Sequence, residues 1–153
     1  MKYPYNLKTL RNQHALYNIH FHIVLVTKDR KPCLSPEIFD LLKAQAEKVF
    51  GPYHIGIEEM SHGDSYVHFL LSVPPSACIS SIVNSYKSSS SRMVRKEFAD
   101  DLARYFAEPV FWDRSYLIVS AGDVPDEVIG WYLGEQKPEE NGEAKGNEAQ
   151  QHG

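Results

Sequence analysis

Alternation of apolar and polar residues predicts four strands in this chain. The clearest is residues 16–28, which is rich in β-branched and aromatic side chains. One face of this strand carries Tyr17, Ile19, Phe21, Ile23 and Leu25, and the other carries Asn18, His20, His22, Val24 and Val26. Shorter runs predict further strands at residues 53–60, 65–73 and 115–120.

Apolar residues at helical spacing predict two helices between these strands. Ser35, Pro36 and Glu37 form a strong start signal, because they supply a capping hydroxyl, a proline at the first position and an acid in the first turn. The second helix is predicted at residues 79–98 and is amphipathic, with basic side chains along its polar face.

A last helix is predicted at residues 122–136. Tyr132 and Gln136 lie four positions apart, so a helix brings both to one face and to one site. Gly130 and Gly134 oppose helix formation by about 1 kcal/mol each relative to alanine. We therefore expect a short and weakly anchored helix.

The predicted element order is β-α-β-β-α-β-α, which is typical of the ferredoxin-like split βαβ sandwich, an α+β fold. In this fold an antiparallel sheet carries both helices on one face and leaves the other face open. The added C-terminal helix carries Tyr132. We expect an irregular N-terminal arm at residues 1–15, one domain at 16–136, and a disordered acidic tail at 137–153 that is poor in apolar residues.

Composition narrows the class of protein without fixing its function. The net charge of −4 argues mildly against a general nucleic-acid binder, although the basic residues are clustered. No apolar run is long enough to span a membrane, and the N-terminus lacks the apolar core of a secretory signal. Cys33 and Cys78 have no metal-like spacing, so reduced thiols in the cytoplasm are the simplest interpretation.

Candidate chemistry collects on the open face of the predicted sheet. His20 and His22 on the first strand, with Tyr66 and His68 on the third, would share that face because these two strands are central neighbours. Imidazole is a common ligand of transition metals. The simpler interpretation is that these side chains form the polar face of a half-wetted sheet. With Tyr132 added, the set instead suggests phosphoryl transfer by a metal and a tyrosine nucleophile.

Several blocks of sequence, in order, resemble one family. They are residues 26–28 (Val-Thr-Lys), 79–87, 90–98, 111–116 and the stretch Tyr132-Leu133-Gly134-Glu135-Gln136. Together they are similar to the IS200/IS605-type transposases, the single-tyrosine HUH endonucleases. The resemblance implies metal-dependent cleavage and rejoining of single-stranded DNA. It implies that Tyr132 forms a 5′-phosphotyrosine and that His68 and Gln136 hold Mg²⁺ or Mn²⁺.

The chain departs from the family at its metal motif, where two histidines flank one bulky apolar residue. The second histidine is His68, but Tyr66 stands at the first position. Three alternatives stay open. Tyr66 coordinates the metal through its oxygen; His22 or His20 enters from the neighbouring strand; or the site is inactive and the protein is a degenerate relative that binds hairpin DNA or RNA without cleaving it.

The resemblance also implies partners, which are a hairpin in single-stranded DNA and a second copy of the chain. The basic residues that we expect to contact DNA phosphates are Lys28, Arg30, Lys87, Arg92 and Arg95. An edge strand of an open sheet can pair with its twin, so a homodimer is expected, with the Tyr132 helix of one subunit completing the site of the other. No membrane contact is expected.

Overall fold

A computed structural model describes residues 10–11, 16–121 and 125–135 of the chain. Its strands and helices are β1 (Leu10–Arg11), β2 (Leu16–Tyr17), β3 (His20–Thr27), α1 (Pro36–Phe50), β4 (Gly56–His62), β5 (Tyr66–Ser72), α2 (Ile79–Glu97), α3 (Ala99–Leu102), β6 (Trp112–Ser120) and α4 (Pro125–Glu135). Short 3-10 helices at Lys28–Arg30 and Gly51–Tyr53 follow β3 and α1.

The main sheet has four strands in the order β4-β5-β3-β6, and every neighbouring pair is antiparallel. Since β3 and β4 flank β5 and are joined through α1, the arrangement is the split βαβ unit of the ferredoxin-like fold. The predicted α+β class and antiparallel sheet are confirmed. In the register of the central pair, His22 lies opposite Leu70, and Val24 lies opposite His68.

One face of the sheet packs against α1 and α2 and forms the main core. Ile23 and Leu25 of β3 meet Phe69 and Leu71 of β5 there, together with apolar residues of both helices. Ser35 caps α1 as predicted, since its hydroxyl accepts a hydrogen bond from the backbone N–H of Ile38 at 3.2 Å. These contacts fix β3 and β5 as the rigid centre of the molecule.

The opposite face is not left fully open. Val24 and Val26, which are 0% and 1% exposed, pack with Tyr132 of α4 in a second apolar cluster. The prediction of an open face is therefore corrected at this end of the sheet. Two fully apolar side chains on a central strand need cover from water, and α4 of the same chain provides it.

Element boundaries differ from the sequence prediction at several places, one of which is the last strand, β6, which begins at Trp112 and not at Ser115. The strand predicted at residues 16–28 is divided, because β2 pairs with β1 and not with the main sheet. The arm predicted to be irregular contains the short strand β1. The strand predicted from Tyr53 begins at Gly56, since Pro52 lies in a 3-10 turn and His54 adopts a left-handed conformation (φ 58°).

The predicted acidic tail at residues 137–153 lies outside the described residues, as does Gln136. None of the helices within the described ranges has the length and apolar character needed to cross a membrane. Both cysteines are free, as the sequence predicts; Cys33 is buried and Cys78 is exposed.

Candidate active site

The candidate chemistry lies on the sheet face opposite α1 and α2, which we call the tyrosine face. It is formed by His22, Val24 and Val26 of β3, Tyr66 and His68 of β5, Leu117 of β6, and Tyr132 of α4. Side chains directly opposite each other on antiparallel strands share a face, so this grouping follows from the register. The predicted grouping of His22, Tyr66 and His68 agrees with this arrangement.

Tyr132 is held on this face by packing and by two polar contacts near it. Its side chain is 8% exposed and packs with Val24 and Val26. Its hydroxyl lies 3.3 Å from the hydroxyl of Ser115. Arg30 donates from Nη1 to the backbone oxygen of Leu133 at 2.8 Å, which fastens α4 to the 3-10 helix after β3.

A short hydrogen-bond chain sets the direction of the Tyr132 proton. Ser115 donates its hydroxyl hydrogen to the Asp113 carboxylate, with the oxygens 2.7 Å apart. Since a serine hydroxyl has one hydrogen, Tyr132 must be the donor in its contact with Ser115. Burial raises the pKa of Tyr132, and the nearby Asp113 carboxylate raises it further. The Tyr132 hydroxyl is therefore protonated, and its side chain is largely shielded from solvent while it contacts Ser115.

His22 and His68 form a pair across the two central strands. His22 Nδ1 and His68 Nε2 are 2.8 Å apart, which is a hydrogen bond. The ring centroids are 5.0 Å apart and the planes differ by 12°. With the nitrogens so much closer than the centroids, the rings meet edge to edge through N–H···N and do not stack face to face. The structure thus places an imidazole from the neighbouring strand at His68.

His20 does not join this pair. It is 4% exposed, and neither ring nitrogen has a hydrogen-bond partner within the described part of the chain. Burial lowers the pKa of His20, and the nearby Glu58 carboxylate partly opposes this shift. His20 is thus a buried imidazole at this end of β3, and it is neither part of the histidine pair nor on a wetted surface of the sheet.

Tyr66 packs as an apolar side chain. Its ring lies directly over Gly63 in the β4–β5 turn, where any Cβ atom would overlap the ring carbons. It also contacts the apolar cluster of Val24, Val26 and Tyr132. This packing favours the second of the three alternatives, in which His22 replaces the missing histidine, over coordination by the phenol.

The donors on the tyrosine face fit part of a divalent-metal site. No group of three His, Cys, Asp or Glu side chains suited to a metal occurs among the residues that the structure describes. His22 and His68 nevertheless supply two adjacent imidazole nitrogens. Such donors suit softer transition ions better than Mg²⁺ or Mn²⁺, which prefer oxygen ligands. The predicted third ligand, Gln136, lies outside the described residues.

The face does not bring the tyrosine hydroxyl onto the histidine pair. The hydroxyl points to Ser115 on β6, whereas His68 lies on β5, and β3 separates these strands. The backbones of β5 and β6 are therefore about 10 Å apart, which is two interstrand spacings. Tyr132 and the candidate ligands thus share a face, but the tyrosine hydroxyl is directed away from the histidine pair.

The predicted DNA contacts fall in two groups. Lys87, Arg92 and Arg95 line one groove beside α2, which also contains Arg114. Lys28 and Arg30 lie in the 3-10 helix after β3, and Arg30 is engaged with α4.

Sequence reasoning did not single out Asp113, Arg114 or Ser115 as functional residues. Their place inside the family-like block at residues 111–116 was the available signal.

Comparison with known proteins gives an independent result. The family model described as "Transposase IS200 like" matches residues 15–136. Transposases for insertion sequence element IS200 from Salmonella typhimurium and Salmonella typhi are each 28% identical over 109 residues, which cover 71% of this chain and 71% of each relative.

Two solved structures share the fold. The crystal structure of a candidate transposase from Deinococcus radiodurans has a TM-score of 0.75 at 22% identity, and the match covers 84% of this chain and 98% of that chain. A REP-associated tyrosine transposase bound to a REP hairpin has a TM-score of 0.53 at 11% identity, covering 80% of this chain and 68% of that one.

Proposed function

The chain belongs to the IS200-like transposase family, and from this premise we propose that it binds hairpins in single-stranded DNA and cleaves and rejoins the strand through a 5′-phosphotyrosine. The observation that supports the proposal is that Tyr132, His22 and His68 lie on the same face of the sheet. We further propose that it acts in the cytoplasm, where Cys33 and Cys78 would remain reduced.

Tyr132 is the proposed nucleophile. Its Oη atom attacks the scissile phosphorus, forms the tyrosine–phosphate bond, and breaks the bond between phosphorus and the 3′ oxygen of the preceding nucleotide. The phenolic proton leaves as the tyrosine–phosphate bond forms. In the described placement the Tyr132 hydroxyl donates it to Ser115, and once the hydroxyl has moved to the histidine pair the proton passes to solvent. The released 3′ hydroxyl can later attack the phosphotyrosine, so that no energy cofactor is needed.

His22 and His68, with Gln136 as the predicted further ligand, are the residues that we propose hold Mn²⁺ or Mg²⁺. The bound metal would polarise the scissile phosphate and stabilise charge that develops there. Binding of a metal by both nitrogens requires two neutral imidazoles, and the hydrogen between His22 Nδ1 and His68 Nε2 has to move to the other nitrogen of its ring so that each ligating nitrogen has a free lone pair.

The Tyr132 hydroxyl must leave Ser115 before it can act at the histidine pair. Either α4 shifts on its own sheet, or α4 of a second subunit supplies the tyrosine, which is the composite dimer site that the resemblance implies. Trp131 on α4 is 64% exposed beside the tyrosine. An exposed indole is suited to stack on an unpaired base of the single strand.

The hairpin as substrate is supported by the family and by one structural relative, which was solved with a REP hairpin bound. The second candidate function is a catalytically degenerate relative that binds hairpin DNA or RNA without cleaving it. The observation that favours it is Tyr66, which replaces a metal-binding histidine and packs on Gly63. In that case binding survives and the covalent step is lost.

The test is a covalent-adduct assay on denaturing gels with Mn²⁺ and hairpin oligonucleotides taken from the DNA that flanks the gene. The native chain, Tyr132→Phe and Tyr66→His are run together. We expect an adduct with the native chain, none with Tyr132→Phe, and about tenfold faster formation with Tyr66→His, because a third imidazole strengthens the metal site. Binding without an adduct, restored by Tyr66→His, would establish the degenerate relative instead.

A further inference from the structure

The last strand of the sheet, β6, contains a bulge at the edge of the tyrosine face. In its pairing with β3, Tyr116 lies opposite Leu25, whereas Trp112 lies opposite Thr27. Three residues of β6 therefore lie against one residue of β3, and they are Asp113, Arg114 and Ser115. A bulge leaves its extra residues without partners in the ladder, so their backbone groups need other hydrogen-bond partners.

Lys87 of α2 is such a partner. Its Nζ donates to the backbone oxygens of Asp113 at 2.7 Å and Arg114 at 3.0 Å, and it lies 5.6 Å from the centre of the Tyr116 ring. Two of the three ammonium hydrogens are thus committed to the bulge. Burial lowers the pKa of Lys87, whereas the Asp113 carboxylate opposes that shift. In this structure the lysine anchors the backbone of β6, although the family resemblance implies a contact with DNA phosphates.

The bulge that Lys87 holds presents Ser115 to the tyrosine. The Asp113 carboxylate accepts hydrogen bonds from the Ser115 backbone N–H at 3.1 Å and from the Ser115 hydroxyl at 2.7 Å. The Ser115 hydroxyl in turn lies 3.3 Å from the Tyr132 hydroxyl. A continuous set of contacts therefore runs from α2, on one side of the sheet, to Tyr132 on the other.

We infer that Lys87 is a positioning residue, which fixes the β6 bulge and thereby sets where the Tyr132 hydroxyl rests. It acts on the tyrosine through Asp113 and Ser115, from the opposite side of the sheet. The effect on cleavage rests on the proposed function, in which the hydroxyl leaves Ser115 to reach the histidine pair. A firmly held bulge retains the hydroxyl at Ser115, and a loosened bulge shifts the population towards the released hydroxyl.

The residues on either side of the bulge are held by contacts that do not involve Lys87. The backbone oxygen of Phe111 accepts a hydrogen bond from the backbone N–H of Lys28 at 2.9 Å. The Trp112 indole N–H donates to the buried Ser90 hydroxyl at 2.9 Å. Beyond the bulge the ladder with β3 resumes. Loss of the Lys87 ammonium should therefore loosen the bulge and leave the sheet and the core in place.

The direct test places a single fluorotyrosine at position 132 of the full chain and records its fluorine NMR resonance without DNA. Lys87→Met removes the donors and keeps an apolar stem, Lys87→Arg keeps N–H donors, and Ser115→Ala removes the contact to the tyrosine. Lys96→Met is the matched control, since Lys96 is an exposed cation of the same helix outside the groove. Circular dichroism melting checks that each variant is folded, and Lys87→Gln replaces Lys87→Met if that variant does not fold.

We expect the resonance in Lys87→Met to move towards its position in Ser115→Ala, and the resonance in Lys87→Arg to stay near its native position. Hydrogen exchange at the Ser115 amide should become about fivefold faster in Lys87→Met, because the net contribution of one hydrogen bond corresponds to about that factor. Lys96→Met should change neither quantity. A native resonance in folded Lys87→Met, or an equal shift in Lys96→Met, would overturn the inference.

The second measurement is the rate of covalent-adduct formation with saturating DNA hairpin and Mn²⁺. Lys87→Met and Ser115→Ala should each form the adduct about threefold faster. The double variant should be no faster than either, because both residues act on one contact. The hairpin dissociation constant should stay within about twofold. Weaker hairpin binding in Lys87→Met, with a salt slope smaller by about 0.9, would identify a phosphate contact instead and overturn the inference.

The two measurements separate this inference from the proposed function. A displaced fluorine resonance in Lys87→Met, in a chain that forms no adduct, would establish the positioning role and overturn the cleavage chemistry. An adduct at Tyr132, with an unmoved resonance in Lys87→Met, would leave the cleavage chemistry in place and remove the positioning role.

Discussion

Tyr66 occupies the position where the resemblance expects a metal-binding histidine. Its ring lies on Gly63 and on the apolar cluster of Tyr132. A phenol packed in this way strengthens the hydrophobic contacts of the tyrosine face and removes one nitrogen ligand. His22, from the neighbouring strand, is the residue that stands beside His68.

Gly63→Ala tests the packing of Tyr66. The added methyl group would overlap the Tyr66 ring, so the free energy of unfolding should fall by about 1–3 kcal/mol. Gly51→Ala is the control, because a Cβ at Gly51 meets no atom within 4 Å and its φ is −53°. Urea denaturation measures both. An unchanged stability for Gly63→Ala would show that the Tyr66 ring does not occupy this space.

His20 predicts a pH dependence of stability. Burial holds its pKa below the ordinary value of 6.5, so the unfolded chain binds a proton more readily than the folded chain. Above about pH 6.5 His20 is neutral in both the folded and the unfolded chain, and the free energy of unfolding does not depend on it. As the pH falls, the unfolded chain takes up the proton first, so the free energy of unfolding falls until the pH has passed the lower, folded-state pKa. Replacing His20 with leucine should flatten this part of the profile in urea denaturation at pH 5 to 8. An identical slope in both proteins would contradict the assignment.

At the scale of elements, α4 and the 3-10 helix Lys28–Arg30 act as one unit. The Arg30 guanidinium donates a hydrogen bond to the backbone oxygen of Leu133 in α4. This helix contains glycines at positions 130 and 134. Glycine in a helix interior lowers the stability of the helix. The hydrogen bond from Arg30 therefore contributes a larger share of the stability of α4 than it would in a helix without glycine.

Arg30→Met should loosen α4 without unfolding the sheet. A charged hydrogen bond at a partly exposed site contributes about 1 kcal/mol, so hydrogen exchange at the α4 amides should become about fivefold faster. Exchange in α2 should not change. Lys31→Met, one residue away, is the control. Unchanged exchange in α4 with Arg30→Met would mean that the helix is held by its apolar contacts alone.

The fold and the candidate site were predictable from the sequence to different degrees. Alternation in β3 and the Ser35–Pro36 cap predicted the order of elements, because both are local signals. The hydrogen bond between His22 and His68 is not a local signal, since it depends on the register between two strands that are distant in sequence. The cover that α4 gives to Val24 and Val26 is likewise a tertiary contact that no local pattern specifies.

In the whole molecule, β6 lies between two candidate functional surfaces, the groove beside α2 and the tyrosine face. The groove beside α2 carries positive charge on the helical side, and the tyrosine face carries Tyr132, the proposed nucleophile, and the imidazole pair on the other. Asp113 and Ser115 connect them through one strand. Under the proposed function, a protein with a net charge of −4 would contact DNA through a local cationic surface, so the net charge alone does not decide whether it binds DNA.

The most direct test of the central claim is to map the covalent adduct by mass spectrometry. The native chain is incubated with a DNA hairpin and Mn²⁺, digested with nuclease and protease, and searched for a nucleotide bound to a peptide. We predict a 5′-phosphate link on Tyr132 and on no other tyrosine, and loss of the modified peptide in Tyr132→Phe. A link at another residue, or hairpin binding with no modified peptide, would contradict the proposed chemistry.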